Sequence, residues 1–140
     1  MDSKSFQLRI VQIRKSLFEQ GYLDKQFVQL EELQDAENPN FVDEIVTSYY
    51  SDSARLIQKI EHALTKHHLD FDMLDNLMHQ FKGSSSSIGA RKVVHECSHF
   101  RDLCAAGNAD GCIKSFQMIK QEHVMLRNKL EAYFQLINTT

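Results

Sequence analysis

Apolar side chains recur at intervals of three and four along nearly the whole chain, the spacing of one helix face. Phe6, Ile10, Ile13 and Leu17 predict a first helix from about Lys4 to Gln20, with Gly21 where a left-handed C-cap residue would sit. Phe27, Leu30 and Leu33 predict a shorter, inward-facing helix that ends before Asn38-Pro39. Asn38 then reads as an N-cap and Pro39 as a first helical position. They open a long helix with Val42, Ile45, Val46, Tyr49, Ser53, Leu56, Ile57, Ile60 and Leu64 on one stripe. It reaches about His67, a rod of about 40 Å at about 1.5 Å per residue. After a Leu69-Asp70 turn, Phe71, Leu74, Leu77, Met78, Phe81 and Ile88 mark another helix. Val93, Cys97, Phe100 and Cys104 mark the next, stopped by Gly107-Asn108. Asp110 is the expected N-cap of the last helix, whose Cys112, Phe116, Ile119, His123, Leu126, Leu130, Tyr133 and Ile137 form a bundle seam.

The pattern predicts an all-α protein, an antiparallel up-down four-helix bundle with one or two extra N-terminal helices. It fits one domain over residues 1–140, with the N-terminal helices in 1–36 and the bundle in 38–140. Composition agrees. One proline and five glycines are too few for the turns of an all-β fold or for a disordered chain.

A net charge of −3 argues against nucleic acid as the main partner. The acidic residues between Asp24 and Glu44 read as a solvated helix face. The N-terminus lacks the apolar run of a signal peptide, and no stretch approaches the roughly 18 apolar residues of a membrane span. Cys97, Cys104 and Cys112 are odd in number and contain no CxxC pair, which predicts buried thiols in a reducing compartment rather than a disulfide framework or zinc ribbon.

The run Gly83-Ser84-Ser85-Ser86-Ser87 has the composition of a linker, yet the apolar stripe continues through it by way of Phe81, Ser85 and Ile88. At about 100° per residue, His79 falls about 150° from the stripe's centre and faces solvent. Its neighbours at helical spacing are Asp75, Lys82, Gly83 and Ser86. A mid-helix glycine costs about 1 kcal/mol relative to alanine. One turn after His79, Gly83 leaves room for another surface to approach the ring. An exposed neutral imidazole is a competent nucleophile, and a flanking ammonium suits a phosphoryl group. The chemistry this face suggests is reversible phosphorylation of His79, with donor and acceptor supplied by partners. An ordinary surface histidine beside a serine-rich helix end fits the same face.

Other readings are weaker. Glu96 and His99 have the Glu-x-x-His spacing of di-iron bundles, but no second pair exists and both point away from the stripe, so no metal is expected. His95 with His99, and His67 with His68, read as surface histidines. His123 on the seam reads as a hydrogen-bonded core residue. An interaction module with the serines as kinase targets remains an alternative.

The segment His79-Gln80-Phe81-Lys82-Gly83-Ser84-Ser85-Ser86-Ser87-Ile88-Gly89-Ala90 resembles the phospho-acceptor motif of histidine-containing phosphotransfer proteins of plant type. Asn38-Pro39-x-Phe41-Val42, Phe100-Arg101-x-x-Cys104 and Lys129-Leu130-Glu131 are similar to the same family, so the resemblance covers nearly the whole chain. It implies that His79 is phosphorylated at Nε2, that Lys82 neutralises the phosphoryl group, and that Gly83 admits the loops of a receiver domain. Gln80, Ser86 and Asp75 would shape access and docking around the site. Leu23, Phe27 and Val28 are candidates for a docking rim, or for packing of the N-terminal helices.

The resemblance further implies a carrier rather than an autonomous enzyme. It would accept the phosphoryl group from the receiver aspartate of a hybrid sensor histidine kinase and pass it to that of a response regulator, in plants for cytokinin signalling. No cofactor is expected on this chain; the magnesium would sit on the receiver. A monomer in cytoplasm and nucleus, docking through a small transient interface, completes the expectation. Some relatives lack the acceptor histidine and act as inhibitors; this chain has it. His123 stands where the family leads one to expect an aromatic residue.

Overall fold

The structure is a computed structural model that describes residues 3–139. Its helices are α1 (Ser3–Glu19), α2 (Lys25–Leu33), α3 (Phe41–Leu64), α4 (Phe71–Ser87), α5 (Arg91–Ala105) and α6 (Ala109–Thr139). Helices α3 to α6 form the antiparallel four-helix bundle: α4 packs on α3 and α5, and α6 closes the ring against α5 and α3. Helix α1 lies on α6, and α2 on α3 and α4. Among the described residues no helix is long and apolar enough to cross a membrane.

The seam residues predicted from periodicity fill the core, with Leu74, Met78, Phe81, Val93, Cys97, Phe100, Phe116, Ile119, Leu126 and Leu130 all buried. The core also carries three polar ties between helices. The Tyr49 and Ser85 hydroxyls are 2.7 Å apart and join α3 to α4. Ser53 Oγ lies 2.8 Å from His123 Nε2, and the Tyr50 hydroxyl donates to the His123 carbonyl at 3.0 Å, joining α3 to α6. His123 also packs against the rings of Tyr49, Tyr50 and Phe81. It is the hydrogen-bonded core histidine the sequence suggests.

Several helix ends differ from the sequence reading. Helix α3 starts at Phe41, not at Pro39. Asn38 instead closes a turn in which its N–H donates to Asp35 Oδ1, and the free N–H of Val42 is capped by the Gln34 side chain at 3.0 Å. The same helix stops at Leu64, short of His67, where the Thr65 hydroxyl donates to the His62 carbonyl. Helix α6 begins at Ala109, so Asp110 lies in its first turn. Asn108 is the cap, accepting from the Gly111 N–H at 2.9 Å. Gly111 is therefore helical. Leu33 is 64% exposed. Three-residue steps drift about 60° each around a helix, which carries Leu33 about 120° from Phe27.

One tertiary tie positions the end of α4. The Asp24 N–H donates to the Gly89 carbonyl and the Arg91 N–H to the Tyr22 carbonyl, binding the α1–α2 connection to the α4–α5 connection. Gly89 has φ of +76°, and a Cβ there would lie 2.7 Å from the Phe27 backbone nitrogen. Only glycine fits both the left-handed backbone and the close approach.

Candidate functional site

Helix α4 opens on Asp70, whose side chain accepts from the Met73 N–H at 3.1 Å, and continues unbroken through the serines. Three of the four serine hydroxyls are bonded within the helix or to its neighbour. Ser84 and Ser87 hydroxyls donate to carbonyls three residues back, those of Phe81 and Ser84. Ser85 is fully buried on Tyr49, and Ser86 is exposed. The apolar stripe thus fixes the rotation of α4, and that rotation turns His79 outward to solvent.

Around the imidazole the expected residues fall on one face. Asp75 and Lys82 are half-buried, while Gly83 and Ser86 are exposed. Nothing lies within 4 Å of the point a Cβ on Gly83 would occupy. Unlike Gly89, Gly83 answers no internal steric demand. Lys82 makes no hydrogen bond or ion pair with another described residue, so its ammonium is uncommitted. Gln80 is exposed, turned about 100° from His79, and likewise unbonded among the described residues.

The docking rim needs correction. Leu23 and Phe27 are 1% and 0% exposed, because the α1–α2 connection folds onto α4 and the α4–α5 connection. They hold the N-terminal helices on the bundle and are not a surface. Val28 is half-buried.

The structure adds Arg101, which sequence reasoning passed over. Arg101 Nε donates to Asp75 Oδ1 at 2.8 Å and Nη2 to Asp75 Oδ2 at 3.3 Å, a two-pronged clasp from α5 to α4. Its Nη1 lies 3.0 Å from His79 Nδ1. The Arg101 hydrogen bond holds the Asp75 carboxyl below the usual carboxylate range. A guanidinium only donates, so Nδ1 accepts and the neutral ring carries its hydrogen on Nε2. Nε2 has no hydrogen-bond partner among the described residues. Asp75, Lys82 and Arg101 line an open cleft of about 430 Å³ between α4 and α5, with Asp72, Ser98 and Asp102. The only sequence signal for Arg101 was its place in Phe100-Arg101-x-x-Cys104.

The cysteines are free and buried, with Cys104 and Cys112 in contact at 3.8 Å. Burial pushes the Cys97 and Cys104 thiols up to about 12, which suits inert core residues. Among the described residues no group of three or more His, Cys, Asp or Glu is arranged to hold a metal ion.

The chain is similar to known proteins in both sequence and fold. The Hpt domain model matches residues 44–135. Histidine-containing phosphotransfer protein 4 of Arabidopsis thaliana is 61% identical over 116 residues, 83% of this chain and 91% of that protein. Pseudo histidine-containing phosphotransfer protein 5 of Oryza sativa subsp. japonica is 49% identical over 137 residues, 98% of this chain and 90% of that one. The crystal structure of a histidine-containing phosphotransfer protein from Medicago truncatula superposes with a TM-score of 0.92 at 38% identity, covering 99% of this chain and 93% of its own. The match of model, sequence and fold over the helices that build the site means that this chain belongs to the Hpt family of histidine-containing phosphotransfer proteins of two-component phosphorelays.

Proposed function

We propose that the chain is an active phosphorelay intermediate whose acceptor is Nε2 of His79. The observation that carries this is the pairing of an exposed imidazole with the empty space at Gly83 one turn on. In the forward step Nε2 attacks the phosphorus of a receiver aspartyl phosphate. The ring first moves its hydrogen from Nε2 to Nδ1 through water, which frees the Nε2 lone pair; the Nε2–P bond then forms, the P–O bond breaks with its electron pair passing to the aspartate, and the Nδ1 proton passes to water. The reverse attack, by the aspartate of a response regulator, unloads the ring. Such transfers need positioning and charge neutralisation more than covalent chemistry from the protein. The bundle supplies an oriented ring and the Lys82 ammonium. The receiver supplies the aspartate and its magnesium, so the chain acts as a carrier and not alone.

The donor is read as a hybrid sensor histidine kinase and the pathway as cytokinin signalling, with a monomer in cytoplasm and nucleus. Gln80, Ser86 and Asp75 border the docking surface. Some relatives bear the name pseudo; the presence of His79 supports the carrier reading for this chain. The test is transfer from a phosphate-labelled receiver domain to wild type and to His79→Gln. Acid-labile label on the wild type alone is expected. Equal labelling of the variant, or acid-stable label, refutes the assignment.

A further inference from the structure

Arg101 occupies Nδ1 of His79, and a carboxylate in its place would do the opposite to the ring. Asp75 lies one turn earlier on the same face. A carboxylate bonded to the ring would accept from Nδ1–H and keep a proton there. Arg101 instead takes both Asp75 oxygens into its fork and presents its remaining amino group to Nδ1 at 3.0 Å. The clasp thus engages the acceptor that would hold a proton on Nδ1 and presents instead a donor that requires Nδ1 to be bare. Arg101 from α5 is the charged group bonded to the ring, and the cleft that Arg101 lines also carries Asp72, Asp75 and Lys82 from α4 and Asp102 from α5.

We propose that Arg101, held by Asp75, is a positioning residue that keeps Nδ1 of His79 unprotonated once the ring is phosphorylated, so that the phosphoryl group survives between encounters. This rests on the acceptor reading above. The chemistry follows from the leaving group. If Nδ1 is protonated, water attacking phosphorus breaks the Nε2–P bond and the electron pair leaves on a neutral imidazole, an easy departure. If Nδ1 is bare, the same pair must leave as imidazolide, a poor leaving group. Accepting a phosphoryl group replaces the Nε2 hydrogen by phosphorus and releases one proton to water, while Nδ1 is bare before and after. The Arg101 bond therefore suits both resting states of the carrier and is released only while Nε2 attacks through the Nδ1–H form of the ring.

The test uses the intact chain and needs no partner. Wild type, Arg101→Gln and Arg101→Lys are phosphorylated with phosphoramidate, with His79→Gln as the blank. Loss of the His79 phosphoryl group is followed by phosphorus NMR from about pH 5 to 8. In Arg101→Gln the acid-promoted rise in hydrolysis should begin about one pH unit higher, since a cation within about 4–6 Å shifts such equilibria by this order. The phosphoryl half-life at neutral pH should then fall several-fold. Arg101→Lys, which keeps the charge, should recover part of the difference. Nitrogen NMR of the unphosphorylated wild type should show the ring hydrogen on Nε2. Superimposable pH profiles for wild type and Arg101→Gln, or a resting Nδ1–H ring, overturn the proposal. If Arg101→Gln does not fold, Arg101→Lys carries the same test through a smaller shift in the same direction. Failure of phosphoramidate to modify His79 at all overturns the acceptor reading instead, so the two failures are distinct.

Discussion

Replacing Gly83 separates a glycine kept for the fold from one kept for a partner. Gly83 has ordinary helical backbone, since the glycines with positive φ are Gly21, Gly89 and Gly107. A Cβ there meets nothing within 4 Å. Gly83→Ala should therefore gain the full helix-propensity difference of about 1 kcal/mol. Unfolding entropy of about 2.1 cal/mol/K per residue, summed over 140 residues, converts this to a Tm rise of about 3 °C. Gly83→Gln should gain nearly as much, because glutamine is a good helix former. Transfer should move the other way. A glutamine one turn from the imidazole occupies the approach of the receiver, and a loss of tenfold or more corresponds to about 1.4 kcal/mol in the barrier. Thermal melts and single-turnover transfer from a phosphorylated receiver measure the two effects on one protein. A lowered Tm in Gly83→Ala would show that the fold needs the glycine. Wild-type transfer by Gly83→Gln would refute the close-approach argument.

Three further outcomes follow from the core and the helix ends. Burial lowers the His123 pKa from 6.5 to about 4, so the folded state resists a proton that the unfolded chain accepts. The corresponding stability is present above about pH 6.5 and is lost on acidification towards about pH 4, on the order of 3 kcal/mol. Denaturant titrations of wild type and His123→Gln across that window should show the extra acid loss only in the wild type; parallel curves would contradict it. Ser85→Ala removes the partner of the buried Tyr49 hydroxyl and should cost about 1–3 kcal/mol by chemical denaturation, with an unchanged midpoint the contrary result. Gly89→Ala forces a Cβ against the Phe27 backbone and strains a left-handed residue, so it should lower stability by at least about 1 kcal/mol, opposite in sign to Gly83→Ala.

The fold and the centre of the site were legible in local pattern. Phe81, Ser85 and Ile88 keep the helical stripe through five residues whose composition says linker, and the same stripe turns His79 to solvent. What escaped were relations between elements. Arg101 reaches His79 from 22 positions away, and its arrival depends on the register of α5 against α4, which no periodicity within either helix encodes. Leu23 and Phe27 lie outside the bundle seams, so pattern alone left a docking rim and packing of the N-terminal helices open for them. They are buried because the α1–α2 connection pairs with the backbone beside Gly89. Helix starts were misplaced where two polar candidates stood close together: Asn38 against Asn40, and Asp110 against Asn108. Local hydrogen bonds decided each case, through Gln34 reaching forward to Val42 and Asn108 reaching Gly111.

As the acceptor, His79 carries the phosphoryl group on Nε2. Phosphorus–nitrogen correlation NMR of the labelled chain, after mixing with a phosphorylated receiver domain, tests it directly. A single phosphorus signal coupled to Nε2 of His79 is expected. Coupling to Nδ1, or phosphorus on Ser84, Ser85, Ser86 or Ser87, would contradict it.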